Sequence, residues 1–204
     1  MSELRQRMPA AARRSQLLAV ALGRFAAGGY HETSMEEIAE AAGVTKPVLY
    51  QHFQSKQELF LELLEQEGRH LLRDVETRAA AETLPYHRVL AGFGAYFDFV
   101  CHRTSAFQII FGSGARLSDE FTDSVRRLEE AIASVIAHFI EADIDEEHRD
   151  LLGHAIVGLG EVAGRRWVAT HTDGGLDPAE ADRLATRLAD LVWAGLRSLP
   201  RDGR

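Results

Sequence analysis

Cysteine and long apolar runs are scarce in this 204-residue chain, and their scarcity limits what it can be. The one cysteine, Cys101, excludes an internal disulfide and a cysteine-rich zinc site, so nothing indicates an oxidising compartment. No uncharged apolar run approaches the roughly 18 residues that a membrane-spanning helix needs. The N-terminus also lacks the apolar centre of a signal peptide. We therefore expect a cytoplasmic protein without a membrane partner.

Lysine is scarce as well, because Lys46 and Lys56 are the only two lysines and every other cation is an arginine. The formal net charge of −8 argues against a polyanionic partner for the chain as a whole. The charge is unevenly distributed, however. Residues 1–56 carry seven basic and five acidic side chains, whereas residues 57–204 carry 16 basic and 26 acidic ones. This asymmetry indicates a weakly basic N-terminal module on an acidic body.

Apolar residues recur with helical spacing along the whole chain, and no alternating strand pattern, long linker or internal repeat is present. We predict an all-α fold of nine helices. The expected helices run from Ala11 to the Gly28-Gly29 pair, from Thr33 to Gly43, from Thr45 to His52, from Ser55 to Arg78, from Pro85 to Arg103, from Ala106 to Phe111, from a Ser118 cap to Ala142, from an Asp145 cap to Thr170, and from an Asp177 cap with Pro178 to Ser198.

Two of these helices begin with the pattern of a capping box, in which a hydroxyl and a glutamate three residues later bond each other's backbone. Thr33 with Glu36 fits this pattern for the second helix, and Ser55 with Glu58 fits it for the fourth. Gly43 closes the second helix, where glycine commonly adopts a left-handed conformation.

The second and third helices are separated by Gly43 and Val44 alone, apart from their caps, which is a helix-turn-helix arrangement. On the third helix, Leu49 and Phe53 are four residues apart and therefore share a face that packs inward. The opposite face contains no acid. It consists of Lys46, Pro47, Tyr50 and Gln51, with Val48 and His52 at its edges.

This acid-free face suits a DNA groove. A lysine and a helix N-terminus can contact phosphate, and Tyr50 and His52 can donate to phosphate oxygens. Gln51 can bond an adenine edge, and small apolar side chains can contact a thymine methyl. The alternative is a structural helical hairpin with no DNA partner.

The stretch "TSMEEIAEAAGVTKPVLYQHFQSKQELF", which ends at Phe60, resembles the DNA-binding segment of TetR-family transcriptional regulators. The resemblance covers about residues 11–60. It implies a flexible N-terminal arm at 1–10, a helix-turn-helix DNA-binding domain at 11–56, and a helical effector-binding and dimerisation domain at 57–204. It also implies a homodimeric repressor that a small hydrophobic or amphipathic effector releases from a palindromic operator in double-stranded DNA.

The resemblance assigns individual contacts to DNA. Backbone contacts are expected from Thr33, Thr45, Lys46, Tyr50, His52 and Lys56, and base contacts from Pro47, Val48 and Gln51. Pro47 and Val48 stand where many relatives have smaller residues, which bears on the operator sequence.

The acidic remainder is rich in aromatic residues, most of which are expected in the core. The resemblance implies an effector pocket in this region, for which the candidates are Phe93, Tyr96, Phe97, Phe107 and Phe111. His154, Glu161 and Arg165 also share one side of an otherwise apolar helix. They could orient a polar group of the ligand, belong to a subunit interface, or form a surface pair beside a capped histidine.

A dimer interface is expected from two helices. Gly153, Gly160 and Gly164 share a helix face that permits close approach, and the last helix presents Leu184, Leu188, Leu191 and Gly195 at helical spacing. Two such helices per subunit could build a four-helix interface, as the resemblance implies. Burial of these faces within one subunit is the alternative.

Two other functions compete with a regulator. The segment Gly158–Ala163 reads G-x-G-x-x-A, but only about 40 residues follow it and no βαβ pattern surrounds it, so a dinucleotide enzyme is disfavoured. A helical binding protein without a DNA function remains open. The histidines His148, His154 and His171 have no metal-ligand spacing with Cys101. We expect no catalytic residues, no cofactor and no metal.

Overall fold

The computed structural model describes residues 9–112, 119–171 and 175–200, and these residues form nine α-helices and no strand. The all-α prediction is confirmed. The helices are α1 (Ala10–Glu32), α2 (Met35–Ala41), α3 (Lys46–Tyr50), α4 (Lys56–Ala80), α5 (Pro85–His102), α6 (Thr104–Phe111), α7 (Asp119–His138), α8 (Glu146–Thr170) and α9 (Pro178–Leu196). Over the same ranges, no helix has the length and apolar character required to cross a membrane.

Several helix starts follow the expected caps. The side chains of Ser55, Asp145 and Asp177 each accept a hydrogen bond from a backbone N–H in the first turn of α4, α8 and α9. Thr45 is the N-cap residue of α3, although its hydroxyl makes no capping bond. Ser118, the expected cap of α7, lies outside the described residues.

The cap of α2 corrects the prediction by one residue. Ser34, not Thr33, is the N-cap: its Oγ accepts from the Glu37 N–H at 3.2 Å, and the Glu37 carboxylate accepts from the Ser34 N–H at 2.7 Å. The bond from the Ser34 backbone, followed by that from its hydroxyl, lowers the pKa of Glu37 below its ordinary value. Thr33 is buried, and its hydroxyl donates to the carbonyl of Gly29 at 2.8 Å.

That carbonyl needs a donor because α1 is kinked there. Gly29 has φ 77° and ψ 167°, a conformation that a residue with a Cβ rarely adopts. The predicted stop at Gly28-Gly29 is therefore only partly right, since helical turns continue to Glu32 beyond the kink. Thr33 satisfies the backbone at the kink, which leaves the capping of α2 to its neighbour.

The first three helices and the start of α4 surround one apolar centre. Leu18 of α1, Ile38 of α2, Leu49 of α3 and Leu59 of α4 are all buried there. We call this part of the molecule the head. It positions α3 on its surface with one side inward.

The remaining helices form a second region, which we call the body. α5 packs mainly on α9 and α4, α7 packs on α8, and α6 contacts α1 of the head. α4 belongs to both regions, because its first turns complete the head and its later turns pack on α5 and α7. The head is therefore connected to the body through α4, through the contact between α6 and α1, and through Phe121 of α7, whose ring lies 4.8 Å from that of Tyr30.

The turn before α3 has the conformation that the sequence predicts. Gly43 has a φ of 65°, in the left-handed region that disfavours β-branched residues. No atom lies within 4 Å of a Cβ added at this position, so backbone conformation is the constraint there and space is not.

We expect Gly43→Val to lower the free energy of unfolding by about 2 kcal/mol, because valine resists a positive φ. Gly23→Ala is the matched control, since Gly23 lies within α1 with open space around an added Cβ. Alanine in a helix interior should raise the stability by up to about 1 kcal/mol. Urea unfolding of both variants measures the difference, and equal stabilities would contradict the role of the turn.

Candidate nucleic-acid interface and cavity

The outer face of α3 is exposed as predicted. Leu49 and Phe53 have no exposed surface, so they anchor the helix on the core of the head. Thr45, Lys46, Pro47, Tyr50 and Gln51 are exposed, and Val48 and His52 are half-buried. The polar and small side chains that could contact a groove therefore lie together on the surface.

Lys46 is held loosely on this face. Its ammonium forms an ion pair with Glu36 of α2 and lies 5.9 Å from the centre of the Tyr50 ring. The face is acid-free on α3 itself, but Glu36 from the neighbouring helix borders it, which the sequence did not predict. Because both side chains are about half exposed, this ion pair contributes little to stability, and Lys46 can exchange Glu36 for a phosphate.

Lys56 is placed differently from the prediction. Its ammonium donates to the carbonyls of Tyr30, Thr33 and His31 at 2.8, 3.0 and 3.2 Å, and it lies 4.5 Å from the centre of the Tyr30 ring. All three of its N–H groups are thereby used within the fold. Lys56 fastens the end of α1 to the start of α4, so we correct its expected role as a phosphate contact.

Thr33 also needs correction as a phosphate contact. Its side chain is buried beside the α1 kink, where its hydroxyl is close to two backbone carbonyls of α1. A buried hydroxyl cannot contact DNA without a rearrangement of the kink. Half-buried Ser34 is the neighbouring residue that reaches the surface.

Arg14 is a residue that sequence reasoning missed. Its guanidinium bonds the Glu62 carboxylate of α4 and the backbone carbonyl of His52, and it lies 4.2 Å from the centre of the Phe53 ring. These contacts tie the end of α3 to both α1 and α4. Since Arg14 and Glu62 are 48 residues apart, no local pattern indicates the pair.

The body contains a cavity with about 90 Å³ accessible to water, within about 830 Å³ of empty space that includes open solvent. Phe93, Tyr96, Phe111 and Glu161, four of the candidate ligand contacts, line it. The rest of the lining is mostly aliphatic and includes Val75 and Ala79 of α4, Val89 of α5, Ile132 and Ile136 of α7, and Ile156 of α8.

Four predicted ligand contacts lie outside this lining. Phe97 is fully buried behind it against Trp167, with ring centres 6.0 Å apart. Phe107 supports the wall through the rings of Tyr96 and Phe111. Arg165 reaches the cavity only through its 2.6 Å bond to Glu161, and His154 is exposed.

His154 belongs to the surface instead. Its Nδ1 lies 3.4 Å from the Asp150 carboxylate, one turn earlier on α8. This geometry matches the surface alternative for His154, whereas Glu161 and Arg165 form a pair at the cavity. The sequence predicted that His154, Glu161 and Arg165 share one side of the helix. In the structure, His154 lies at the surface, and Glu161 and Arg165 are at the cavity.

The glycine face of α8 packs inside the subunit, which corrects its assignment to a dimer interface. A Cβ at Gly153 would lie 2.5 Å from the Ala133 carbonyl of α7. One at Gly160 would touch the Tyr96 ring, and one at Gly164 would lie 2.7 Å from the Tyr96 hydroxyl. The small residues do permit close approach, but their partners are α5, α6 and α7.

An apolar surface lies on the other side of α8. Leu151, Leu159 and Val162 fall within about 100° of one another around the helix, opposite the glycines, and all three are exposed. On α9, Leu191 is 61% exposed, Leu184 and Leu188 are half-buried, and Gly195 is exposed. We call these residues of the two helices the α8–α9 surface.

The segment Gly158–Ala163 lies in the middle of α8, and no strand precedes it in the described ranges. A dinucleotide fingerprint needs its glycines in the turn between a strand and a helix, where backbone amides face the phosphates. The glycines here are inside a helix, so the G-x-G-x-x-A pattern carries no such site.

Two family models match the chain. Residues 17–63 match the model described as "Bacterial regulatory proteins, tetR family", and residues 85–195 match "Tetracyclin repressor-like, C-terminal domain". Together the two matches cover most of the head and most of the body.

Two curated relatives are similar in sequence. The HTH-type transcriptional activator FasR of Mycolicibacterium smegmatis is 32% identical over 95% of this chain and 87% of its own length. The HTH-type transcriptional repressor KstR2 of the same species is 32% identical over 53% of each chain.

Solved structures share the fold. A TetR-like transcriptional regulator from Rhodococcus sp. RHA1 has a TM-score of 0.75 and 27% identity, covering 94% of this chain and all of its own. The transcriptional regulator FadR from Bacillus subtilis, solved in complex with stearoyl-CoA, has a TM-score of 0.74 and 16% identity. That match covers 89% of this chain and 98% of the other.

We expect the two lysines to respond differently to truncation. Lys56→Ala removes three internal hydrogen bonds and should lower the free energy of unfolding by about 2 kcal/mol. Lys46→Ala removes one exposed ion pair and should change it by less than about 1 kcal/mol. Urea unfolding of both variants tests this, and a larger loss for Lys46→Ala would show that the assignment is wrong.

Proposed function

This chain belongs to the TetR family of DNA-binding transcriptional regulators, and we propose that it acts as a homodimeric repressor released from a palindromic operator by a small effector. The observation that carries the proposal is the exposed face of α3, which the Gly43 turn and the buried pair Leu49 and Phe53 aim outward. As a member of this family the protein is not an enzyme.

In the proposed complex, α3 of each subunit lies in a major groove. Lys46, Tyr50, Thr45 and His52 contact the DNA backbone, and Pro47, Val48 and Gln51 contact base edges. Two copies of α3 about 34–36 Å apart would read the two halves of a palindrome. We retain the proposed boundaries of 11–56 for the DNA-binding domain and 57–204 for the remainder, with a cytoplasmic location.

A dimer is needed because one short helix provides too few contacts for a specific site. We propose that the α8–α9 surface is the dimer interface. Its residues Leu151, Leu159, Val162 and Leu191 are exposed apolar side chains of the kind that a second copy can cover. An isologous pairing of two helices from each subunit would form a four-helix interface.

The proposed effector site is the body cavity, and its lining favours an apolar or amphipathic molecule. A regulator of the same fold, FadR of Bacillus subtilis, was solved with stearoyl-CoA, which shows that this architecture can hold a ligand with a long apolar chain. An acyl chain is therefore the first class of ligand to test here.

Effector binding can be coupled to DNA binding through α4. Val75 and Ala79 near its end line the cavity, and Lys56 at its start is bonded to the end of α1. In its middle, the buried Glu67 accepts hydrogen bonds from Arg103 at the α5–α6 junction, at 2.6 and 2.9 Å. A ligand that displaces the α4 side or the α5 side of the cavity would then shift the head. This shift would change the separation between the α3 helices of the two subunits.

Activation is a second candidate for the direction of regulation. It is favoured by the relative FasR, which is named as an activator and matches nearly the whole chain. The geometry of α3 is compatible with repression and with activation. Which of the two results depends on where the operator lies relative to the promoter. Transcription from an operator-bearing promoter, with and without the protein, distinguishes them.

The proposal is tested by selecting bound sequences from random double-stranded DNA with the purified protein. A palindromic sequence with half-sites one helical turn apart is expected, and its affinity should fall steeply with salt. Release of that DNA by acyl-CoA thioesters then tests the effector. A protein that selects no sequence and shows no salt-dependent DNA binding would refute the proposal.

On the selected operator, we expect Lys46→Ala to weaken binding by roughly tenfold and to make the slope of log K against log salt shallower by about one unit per subunit. Tyr50→Ala should weaken binding by a similar factor without changing the slope. Arg69→Ala is the control, because it also removes one cation from an exposed pair but lies on α4. Unchanged affinity in both α3 variants would remove the proposed face.

Val162→Glu should disrupt the dimer, because it places a charge within the α8–α9 surface. We expect the mass measured by sedimentation to halve and operator affinity to fall by roughly 100-fold or more, since the second half-site contact is lost. Leu84→Glu is the control, as Leu84 is also exposed but precedes α5. A dimeric Val162→Glu variant with normal DNA binding would refute this interface.

A further inference from the structure

We propose that Arg14 is the positioning residue of α3: it fixes the tilt at which this helix meets the operator, and it thereby contributes to sequence specificity without contacting DNA itself. This inference rests on the proposed function, because it assumes that α3 enters a major groove. It adds a residue outside the α3 face on which the recognition of the operator depends.

α3 has few means of fixing its own orientation. It has five residues, whereas an isolated helix in water needs about 12–15 to be even marginally stable. The Thr45 hydroxyl makes no capping bond at its start, and no basic residue lies in its last turn. The ion pair between Lys46 and Glu36 is about half exposed and adds little. The orientation of α3 must therefore come from other parts of the head.

The buried side chains Leu49 and Phe53 attach α3 to the head, but apolar burial alone defines its tilt loosely. The hydrophobic effect follows the area removed from water and has no preferred direction. Hydrogen bonds weaken steeply as their angle departs from linear, and a bidentate pair of charged groups is more restrictive still. A directional contact at the end of α3 can therefore set the tilt that apolar packing leaves open.

Arg14 of α1 provides this contact. Its Nη1 donates to the carbonyl of His52, just after α3, where helix carbonyls lack partners within the helix. Its Nε donates to one carboxylate oxygen of Glu62 at 3.0 Å and its Nη2 donates to the other, which fixes the guanidinium in its own plane. Its Cζ lies 4.2 Å from the centre of the Phe53 ring, so its flat face is held as well. One side chain thus ties the end of α3 to α1 and α4.

The pair of Arg14 and Glu62 is also more shielded from water than a typical surface pair. Their side chains are 35% and 27% exposed, against 62% and 56% for Arg69 and Glu65 farther along α4. A shielded bidentate pair is stronger than an exposed one. Because Glu62 already neutralises its charge, we place Arg14 behind the DNA interface and not in it.

The test measures binding to the selected operator and to a duplex of unrelated sequence. Phosphate contacts supply essentially all non-specific affinity, whereas base contacts also need α3 at the correct tilt. We expect Arg14→Lys to weaken operator binding roughly tenfold, because lysine keeps the charge but cannot form the bidentate pair. Binding to the unrelated duplex should stay within about a factor of two, and the salt slope should not change.

Arg69→Lys is the matched control, since Arg69 also pairs with a glutamate on α4 but the pair is exposed. Neither duplex should respond to it. Parent-like binding of both duplexes by Arg14→Lys would refute the inference. An equal loss on both would refute it too, because such a loss marks a direct phosphate contact or partial unfolding. A parent protein that prefers no sequence would refute the proposed function before any variant is compared.

Glu62→Gln separates position from charge. Removing an acid from the head would by charge alone strengthen binding to every duplex. The loss of the bidentate pair predicts the opposite for the operator, namely binding weaker by roughly fivefold, with the unrelated duplex bound at least as tightly as by the parent. Tighter operator binding by Glu62→Gln would overturn the inference.

The double variant tests whether the two residues act as one unit. Its operator loss should be smaller than the product of the two single losses, because either substitution already breaks the pair. Urea unfolding shows how much of each variant is folded in the binding assay. The ratio of operator to unrelated affinity is decisive, since a smaller folded fraction lowers both affinities alike. Losses that multiply, or a ratio equal to that of the parent, would refute the positioning role of Arg14.

Discussion

The buried carboxylate of Glu67 is the constraint on which the arrangement of head and body depends. It lies in the middle of α4 with 2% of its side chain exposed, and Arg103 supplies its charged partner from the α5–α6 junction. Separating such a pair would leave a buried charge without compensation, which is far more costly than losing a surface pair. α4 therefore cannot slide along the body independently of α6, and the two helices must move together. Because α4 also provides Glu62 for Arg14 and Lys56 for the end of α1, such a movement carries the whole head.

The sequence predicted the head well because its information is local. Leu49 and Phe53 define the buried side of α3 by their spacing alone. Gly43 marks a turn with a positive φ, which glycine adopts more easily than other residues. Where the sequence failed, two readings were equally consistent with local rules. Thr33 with Glu36 and Ser34 with Glu37 both fit a capping box, and the kink at Gly29 decided between them by engaging the threonine hydroxyl.

The body was predicted less completely, because helical periodicity shows which residues share a face but not what that face contacts. The glycines of α8 were correctly placed together, yet their close partner is the subunit's own interior, and the side of α8 opposite them exposes Leu151, Leu159 and Val162. Contacts such as Glu67 with Arg103, separated by 36 residues, have no signature in either helix. The aromatic residues were similarly divided by tertiary packing: Phe93 and Phe111 reached the cavity, whereas Phe97 supports it from behind.

The uneven charge of the chain is consistent with one mode of docking. Residues 57–204, which carry ten more acids than bases, are repelled by DNA, whereas the first 56 residues have a small positive excess. Over the Debye length of about 8 Å at physiological salt, the body's repulsion acts only where it would approach the duplex closely. In the proposed complex, the acidic residues 57–204 thus disfavour sideways binding, which leaves the proposed face of α3 as the approach of lowest energy. It follows that specificity can rest on few cations, because the alternatives are repelled and only the head needs to be attracted.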